Sequence, residues 1–126
     1  MVLEIDFTSN VAIYQQIIDG IIKGVFVGDI KPLEPLPSVR QLGQDIGVNL
    51  HTVNKAYQQL KERGYIQIDK RSGAYISEEF GNLSKNEKSE FQSKLETLII
   101  DALLKNTDRE NILKIVDDII KKGREL

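Results

Sequence analysis

The feature that most constrains this chain is a three-residue joint, Gly47-Val48-Asn49, between two short amphipathic segments. Upstream, Ser38-Val39-Arg40-Gln41 follows directly on Pro37 and has the Ser-x-x-Gln form of a capping box. It opens a helix with Val39, Leu42 and Ile46 at helical spacing. Gly47 closes that helix, because glycine takes the left-handed conformation of a helix end without a Cβ penalty. Downstream, Asn49 caps a second helix with Val53, Ala56, Tyr57 and Leu60 on one face and Gly64 at its end. So tight a joint is the sequence form of a helix-turn-helix. By spacing alone, a helical hairpin inside an all-α core fits equally well.

The next residues shift the balance. Tyr65-Ile66-Gln67-Ile68-Asp69 alternates as a strand does, Lys70-Arg71-Ser72-Gly73 is a turn, and Ala74-Tyr75-Ile76-Ser77 is a second strand. A hairpin directly after a helix-turn-helix is a wing, and its turn carries two positive charges where it can lie along a DNA backbone. Before the joint, Thr8-Ser9-Asn10 offers an N-cap for a first helix near 10–27. Tyr14, Ile17, Ile18, Ile21, Ile22 and Val25 supply its apolar positions, and Gly24 and Gly28 mark its frayed end. All three prolines fall between Lys31 and Pro37, which reads as an extended connector.

After the wing, Glu79 to Leu83 reads as a linker, and Ser84-Lys85-Asn86-Glu87 as a second capping box. The helix it opens presents Phe91, Leu95, Leu98, Ile99, Ala102 and Leu103. Thr107-Asp108-Arg109-Glu110 is a third box, opening a helix with Ile112, Ile115, Val116, Ile119 and Ile120 on one stripe. Lys121, Lys122 and Arg124 suit its C-terminal dipole end. The expected fold is therefore mainly α with a small β-hairpin. A winged helix-turn-helix over 1–78 is followed by a two-helix dimerisation tail over 79–126.

Composition removes several classes of function. With no cysteine there are no disulfides, thiolate metal sites or cysteine nucleophiles. There is no glycine-rich phosphate loop and no Ser/His/Asp constellation, so neither enzymatic activity nor a cofactor is expected. No apolar run approaches a membrane span, and the N-terminal MVLEIDF carries Glu4 and Asp6 where a signal peptide is basic, so the expected location is the cytoplasm. The net charge of −2 counts mildly against nucleic acid as a partner. Between Ser38 and Ile76, however, Arg40, Lys55, Lys61, Arg63, Lys70 and Arg71 outnumber Asp45, Glu62 and Asp69. The competing reading is a winged-helix protein-interaction module that does not bind DNA.

Leu36-Pro37-Ser38-Val39-Arg40-Gln41-Leu42 resembles the GntR family of bacterial regulators. The likeness runs on through Gly47-Val48-Asn49, Thr52-Val53, Lys55-Ala56-Tyr57, Leu60 and Arg63-Gly64-Tyr65-Ile66. The two helix motifs are specific together and weak alone. A short tail of two helices is similar to the YtrA-like subfamily. The resemblance implies a DNA-binding regulator without catalytic machinery, of a kind whose members often control operons for transporters. This chain departs from the family in two places. The wing has Arg71-Ser72-Gly73-Ala74-Tyr75 where Gly-x-Gly-Thr and an aromatic are usual, and Leu50 and Asn54 stand where many longer members carry arginines.

A recognition helix presents its N-terminal residues to base edges in the major groove. Here these are Asn49, Leu50, His51, Thr52, Asn54 and Lys55, expected to be exposed on the first turns. Leu50 suits a thymine methyl, Thr52 a base or a phosphate, Asn54 the donor–acceptor edge of adenine and Lys55 a phosphate. At the start of the preceding helix stand Ser38 and Arg40, and related proteins place a phosphate clamp at the position of Arg40. Lys70, Arg71, Ser72 and Gly73 complete the expected DNA contacts from the wing. Blander roles stay open: Asn49 as a simple cap, Thr52 bonding within its own helix, Arg40 as a surface ion-pair partner. His51, the only histidine, would find only carboxylates to share a metal, so no metal site is expected. Tyr14, Tyr57, Tyr65 and Tyr75 can stack on bases, but Tyr57 and Tyr65 fall on core faces. In the tail, Phe91, Leu95, Leu98, Ile99 and Leu103 with Ile112, Ile115, Val116, Ile119 and Ile120 read as a self-association surface, or else as the lining of a ligand pocket. The expected partners are a two-fold double-stranded DNA operator and a second copy of the chain. Whether a small-molecule effector exists is left open, and the sign of regulation is expected to be repression.

Overall fold

The computed structural model describes residues 1–123, so Arg124 lies outside the described residues. The chain divides into two compact units, Met1–Phe80 and the segment from Gly81 onward. The first is a winged helix-turn-helix: α1 (Ile13–Val27), α2 (Val39–Ile46), α3 (Leu50–Glu62), then β1 (Ile66–Asp69) and β2 (Gly73–Ile76) as an antiparallel hairpin. The second holds α4 (Lys85–Leu104) and α5 (Arg109–Lys121).

α1 begins at Ile13, later than the Thr8-Ser9-Asn10 cap predicts, with Ala12 at the N-cap and no side chain capping it. The polar groups before it are spent on their own turns: Asp6 Oδ1 accepts from the Thr8 amide and hydroxyl, and Ser9 Oγ from the Val11 amide. Gln16 then ties the arm to the helix, accepting from the Asp6 amide and donating to the Asp6 and Val11 carbonyls. Gly28 ends α1 in the left-handed region, at φ 87°. Gly24 is not part of a frayed end. It lies inside α1, and a Cβ there would sit 2.7 Å from Ile30 Cδ1, so its bareness lets Ile30 fold back onto the helix.

Ile17, Ile18 and Ile21 of α1, Leu42 of α2, and Val53, Ala56, Tyr57 and Leu60 of α3 meet in one core, closed by Ile30, Leu36, Ile66, Ala74 and Ile76. Only the part of the proline-bearing connector from Glu34 to Pro37 runs extended: Pro32 and Leu33 form a turn that the Glu34 amide closes on the Lys31 carbonyl at 3.0 Å, with Leu33 at φ 66°, because proline presets the first corner of a turn. Leu33 and Leu36 donate to the Ile76 and Ala74 carbonyls, Glu34 accepts from the Ile76 amide, and Pro35 bridges Tyr75. It forms a third, outer rung on the hairpin, where prolines cost no ladder bond. The hairpin register pairs Asp69 with Gly73, one residue tighter than the expected four-residue turn. Phe80 belongs to the head and not to a linker, because its ring packs on Tyr65 with centroids 5.6 Å apart.

In the second unit Ser84 and Glu87 form the reciprocal capping box: Ser84 Oγ accepts from the Glu87 amide, and Glu87 Oε1 from the Ser84 amide. The third expected box does not form. α5 starts one residue later, capped by Asp108, whose Oδ1 accepts from the Asn111 amide. The Thr107 amide donates to the Ala102 carbonyl instead, closing a reversal in which Asn106 takes φ 66°. No side chain of α4 or α5 is buried.

Candidate nucleic-acid interface

Ser38 caps α2 by accepting from the Gln41 amide at 3.0 Å, but this is half of the expected box. The Gln41 side chain turns forward to Asp45, donating to Oδ1 at 2.7 Å. At the other end, Gly47 takes φ 70° and donates to the Gly43 carbonyl, which also accepts from Val48 at 2.8 Å. These bonds bring the joint so close to α2 that a Cβ on Gly43 would lie 2.6 Å from the Val48 carbonyl oxygen. Gly43 is a requirement of the turn that the spacing of apolar residues did not reveal. A glycine in mid-helix, where it weakens the helix, was the available signal.

Asn49 caps α3, accepting from the His51 amide at 2.7 Å through Oδ1. Its cap role is thus in place, with the amide NH₂ still able to donate. Arg40, Asn49, Leu50 and His51 border one open depression of about 420 Å³ between α2 and the start of α3. Gln44 borders it too, one turn beyond Arg40 on the same face of α2. Gln44 is not among the contacts expected from the sequence, although its i, i+4 spacing from Arg40 is the signal that marks it. Thr52, Asn54, Lys55 and the wing residues do not border this depression.

His51, Asn54 and Lys55 are exposed, but Leu50 and Thr52 are half-buried, contrary to expectation. Leu50 lies two turns before Tyr57 on the face that packs inward, and Thr52 one turn before Ala56, so both border the buried stripe of α3. Tyr57 is 2% exposed and donates its hydroxyl to the Pro37 carbonyl at 2.7 Å, tying α3 to the residue before the α2 cap. Burial pushes its phenol well above the ordinary value of 10.0. Tyr65 is half-buried, with the Arg63 guanidinium over its ring at 5.3 Å. Tyr14 is half-buried as well, and the Lys55 ammonium sits over its ring, 4.0 Å from the centroid.

Lys70, Arg71, Ser72 and Gly73 are exposed at the hairpin tip. Gly73 takes φ 76°, so the glycine this wing retains is the one its backbone needs. Arg71 stays outside the left-handed region, and its amide donates to Asp69 Oδ1 at 2.8 Å. An acidic side chain thus closes the turn without a second glycine.

The four ion pairs among the described residues, Glu90–Lys94, Asp101–Lys105, Lys114–Asp118 and Asp117–Lys121, all lie in α4 and α5. Arg40, Lys55, Lys70 and Arg71 therefore keep their charge free of any carboxylate in ion-pair contact. Among the described residues no three His, Cys, Asp or Glu side chains gather as a metal site, and no helix is long and apolar enough to cross a membrane.

The pattern of the family described as bacterial regulatory proteins, gntR family, matches residues 11–76, which hold all three helices of the head and both strands of the wing. The chain belongs to the GntR family. This GntR chain is thus a DNA-binding transcription regulator. It is 34% identical over 127 residues, covering 98% of each chain, to the HTH-type transcriptional repressor YtrA of Bacillus subtilis. It is similar in structure to a transcriptional antiterminator from Listeria monocytogenes EGD-e, with TM-score 0.87 and 32% identity over 100% of this chain and 96% of that one. It is also similar to the DNA-binding domain of AraR solved in complex with operator ORX1, with TM-score 0.52 and 26% identity over 60% of this chain and 96% of that one.

Proposed function

We propose that this GntR chain represses transcription in the cytoplasm by binding a two-fold DNA operator as a homodimer. The observation that carries this reading is the division of its charges. Every ion pair among the described residues lies in α4 and α5, while the cations of α2, α3 and the wing have no carboxylate partner. Neutralising duplex phosphates releases counterions, and unpaired surface cations are what that requires. In this reading Arg40 and the wing residues Lys70 and Arg71 hold the backbone, with Ser38, Ser72 and the Gly73 amide donating to phosphates. His51 and Asn54 read base edges at the start of α3, and the half-buried Leu50 and Thr52 flank them at the edge of the buried stripe. The relative named as a repressor and the AraR domain solved on its operator support the same assignment.

The dimer is proposed through α4 and α5, most of whose large apolar side chains are exposed. Phe91 is 56% exposed, Leu98 68% and Ile120 65%. No catalytic role is assigned to the chain. A titration of the intergenic DNA upstream of its own gene, repeated across a range of salt, tests the reading. A regulator of this kind weakens steeply as salt rises, with a log–log slope set by the number of phosphates neutralised. A protein-interaction module shows no duplex affinity at any salt, and that result would overturn the proposal.

A further inference from the structure

Lys55 differs from the other lysines of this chain that have a defined contact. Each of those pairs with a carboxylate one turn away on its own helix: Lys94 with Glu90, Lys105 with Asp101, Lys114 with Asp118 and Lys121 with Asp117. Lys55 instead reaches across to another helix, and its Nζ rests 4.0 Å from the centroid of the Tyr14 ring. No carboxylate is in ion-pair contact with it among the described residues.

The two arrangements have different consequences. A carboxylate partner cancels the charge that a phosphate would meet. An aromatic face attracts the ammonium through its quadrupole and leaves the positive charge whole. A lysine on a flexible four-carbon stem also loses much rotamer freedom when it is fixed on a ligand. A ring that holds the stem in place beforehand removes part of that loss, which is the benefit of preorganisation. Tyr14 is suited to this. It is the second residue of α1, it is half-buried against the core, and α1 packs directly on α3.

We propose that Tyr14 is a positioning residue for DNA binding: it holds the Lys55 ammonium, still fully charged, where a backbone phosphate meets α3. This rests on the operator reading above and adds to it a role for α1, an element outside the helix-turn-helix.

The test uses the full chain, with a fluorescent operator duplex and a random duplex titrated across a range of salt. Tyr14→Leu should weaken both duplexes roughly two- to fivefold, the equivalent of an exposed cation–π contact. Tyr14→Phe, which keeps the ring, should bind like the wild type. Lys55→Gln should lower the salt slope by about one unit. In the Lys55→Gln background, Tyr14→Leu should have no further effect. Equal losses in both backgrounds overturn the proposal, because the two residues then act independently. So does a Tyr14→Phe loss as large as that of Tyr14→Leu, because the hydroxyl then contacts DNA itself. If Tyr14→Leu does not fold, the Lys55 Hε protons of the wild type decide: a ring-current shift upfield is expected, and ordinary positions overturn the contact. A wild type that binds no duplex sinks the operator reading as well, whereas normal binding with an unaffected Tyr14→Leu sinks only the positioning role.

Discussion

Tyr57 serves packing and polar anchoring at one position. Its ring fills the centre of the head, and its hydroxyl reaches the Pro37 carbonyl, so one side chain joins α3 to the entry of α2. Burial raises the phenol above its ordinary 10.0, which means the folded state favours the neutral form. Stability from this source is fully present below about pH 10 and is lost as pH rises beyond it, because the unfolded chain releases the proton first. Tyr57→Phe should cost about 0.5–1.5 kcal/mol at pH 7 through the lost hydrogen bond. Urea denaturation from pH 7 to pH 11 should show that deficit shrinking above pH 10, and a constant gap would contradict the account. Arg40 belongs to the same scale. It is exposed, without an ion pair, on the rim of the depression that His51 shares. Arg40→Ala should weaken specific and random DNA alike and lower the salt slope by about one unit, with the melting temperature unchanged. Loss on the operator alone would make Arg40 a base reader.

Between α2 and α3 the geometry is set by close backbone approach. The Gly43 carbonyl accepts from both Gly47 and Val48, and the bare Gly43 Cα faces the Val48 carbonyl. Gly43→Ala puts a methyl 2.6 Å from that oxygen, so the joint must open. Forced repacking of this kind costs about 1–3 kcal/mol. A shift of α3 against α2 also separates the His51 side of the depression from Arg40. The expected result is lower stability in urea together with a loss of operator affinity larger than any loss on random DNA. A variant of unchanged stability would show that the joint accommodates a methyl and that the close approach does not set its geometry. Gly47→Ala is the comparison, because nothing lies within 4 Å of a Cβ there and only the left-handed φ of 70° opposes it.

At the scale of the molecule, the two units are built on different terms. The head holds a closed core, while α4 and α5 have no buried side chain. Their apolar surface is wider than the expected stripes. Ile100 is exposed about 180° and Leu104 about 140° around α4 from Phe91, and Leu113 joins the α5 face. Covering each large apolar side chain is worth about 1.5–3 kcal/mol, so a few per subunit suffice to hold the proposed dimer. Val116→Asp should leave the head folded and make the protein a monomer by sedimentation velocity. It should lower affinity for a two-fold operator by orders of magnitude while weak half-site binding survives. If the wild type sediments as a monomer, α4 and α5 have another task, and ligand capture becomes the better reading.

The sequence by itself determined whatever depends on neighbours along the chain. The Ser38, Asn49 and Ser84 caps, the ends at Gly47 and Gly28, and the helical and strand periods are local matters, and each formed where its residues stand. The family was legible for the same reason: its two motifs lie on consecutive turns of α2 and α3 and must occur together to make the joint. Tertiary structure decided the rest. The prolines between Lys31 and Pro37 announce an extended chain, but Pro32-Leu33 turns, and only the exposed edge of β2 makes the residues around Pro35 a third rung of the wing. Leu50 and Thr52 occupy expected recognition positions, yet the packing of α3 draws both partly inward. Gln41 looked like the second half of a capping box until Asp45, one turn ahead, took its amide. Lys55 and Tyr14 stand far apart in the chain, where nothing local links a phosphate-suited lysine to an aromatic ring, and the packing of α1 on α3 sets them against each other. The physical reason is the same in each case. Local patterns specify the backbone of an element and the face it buries, whereas the partner of a polar or aromatic side chain is chosen by what another element brings within reach.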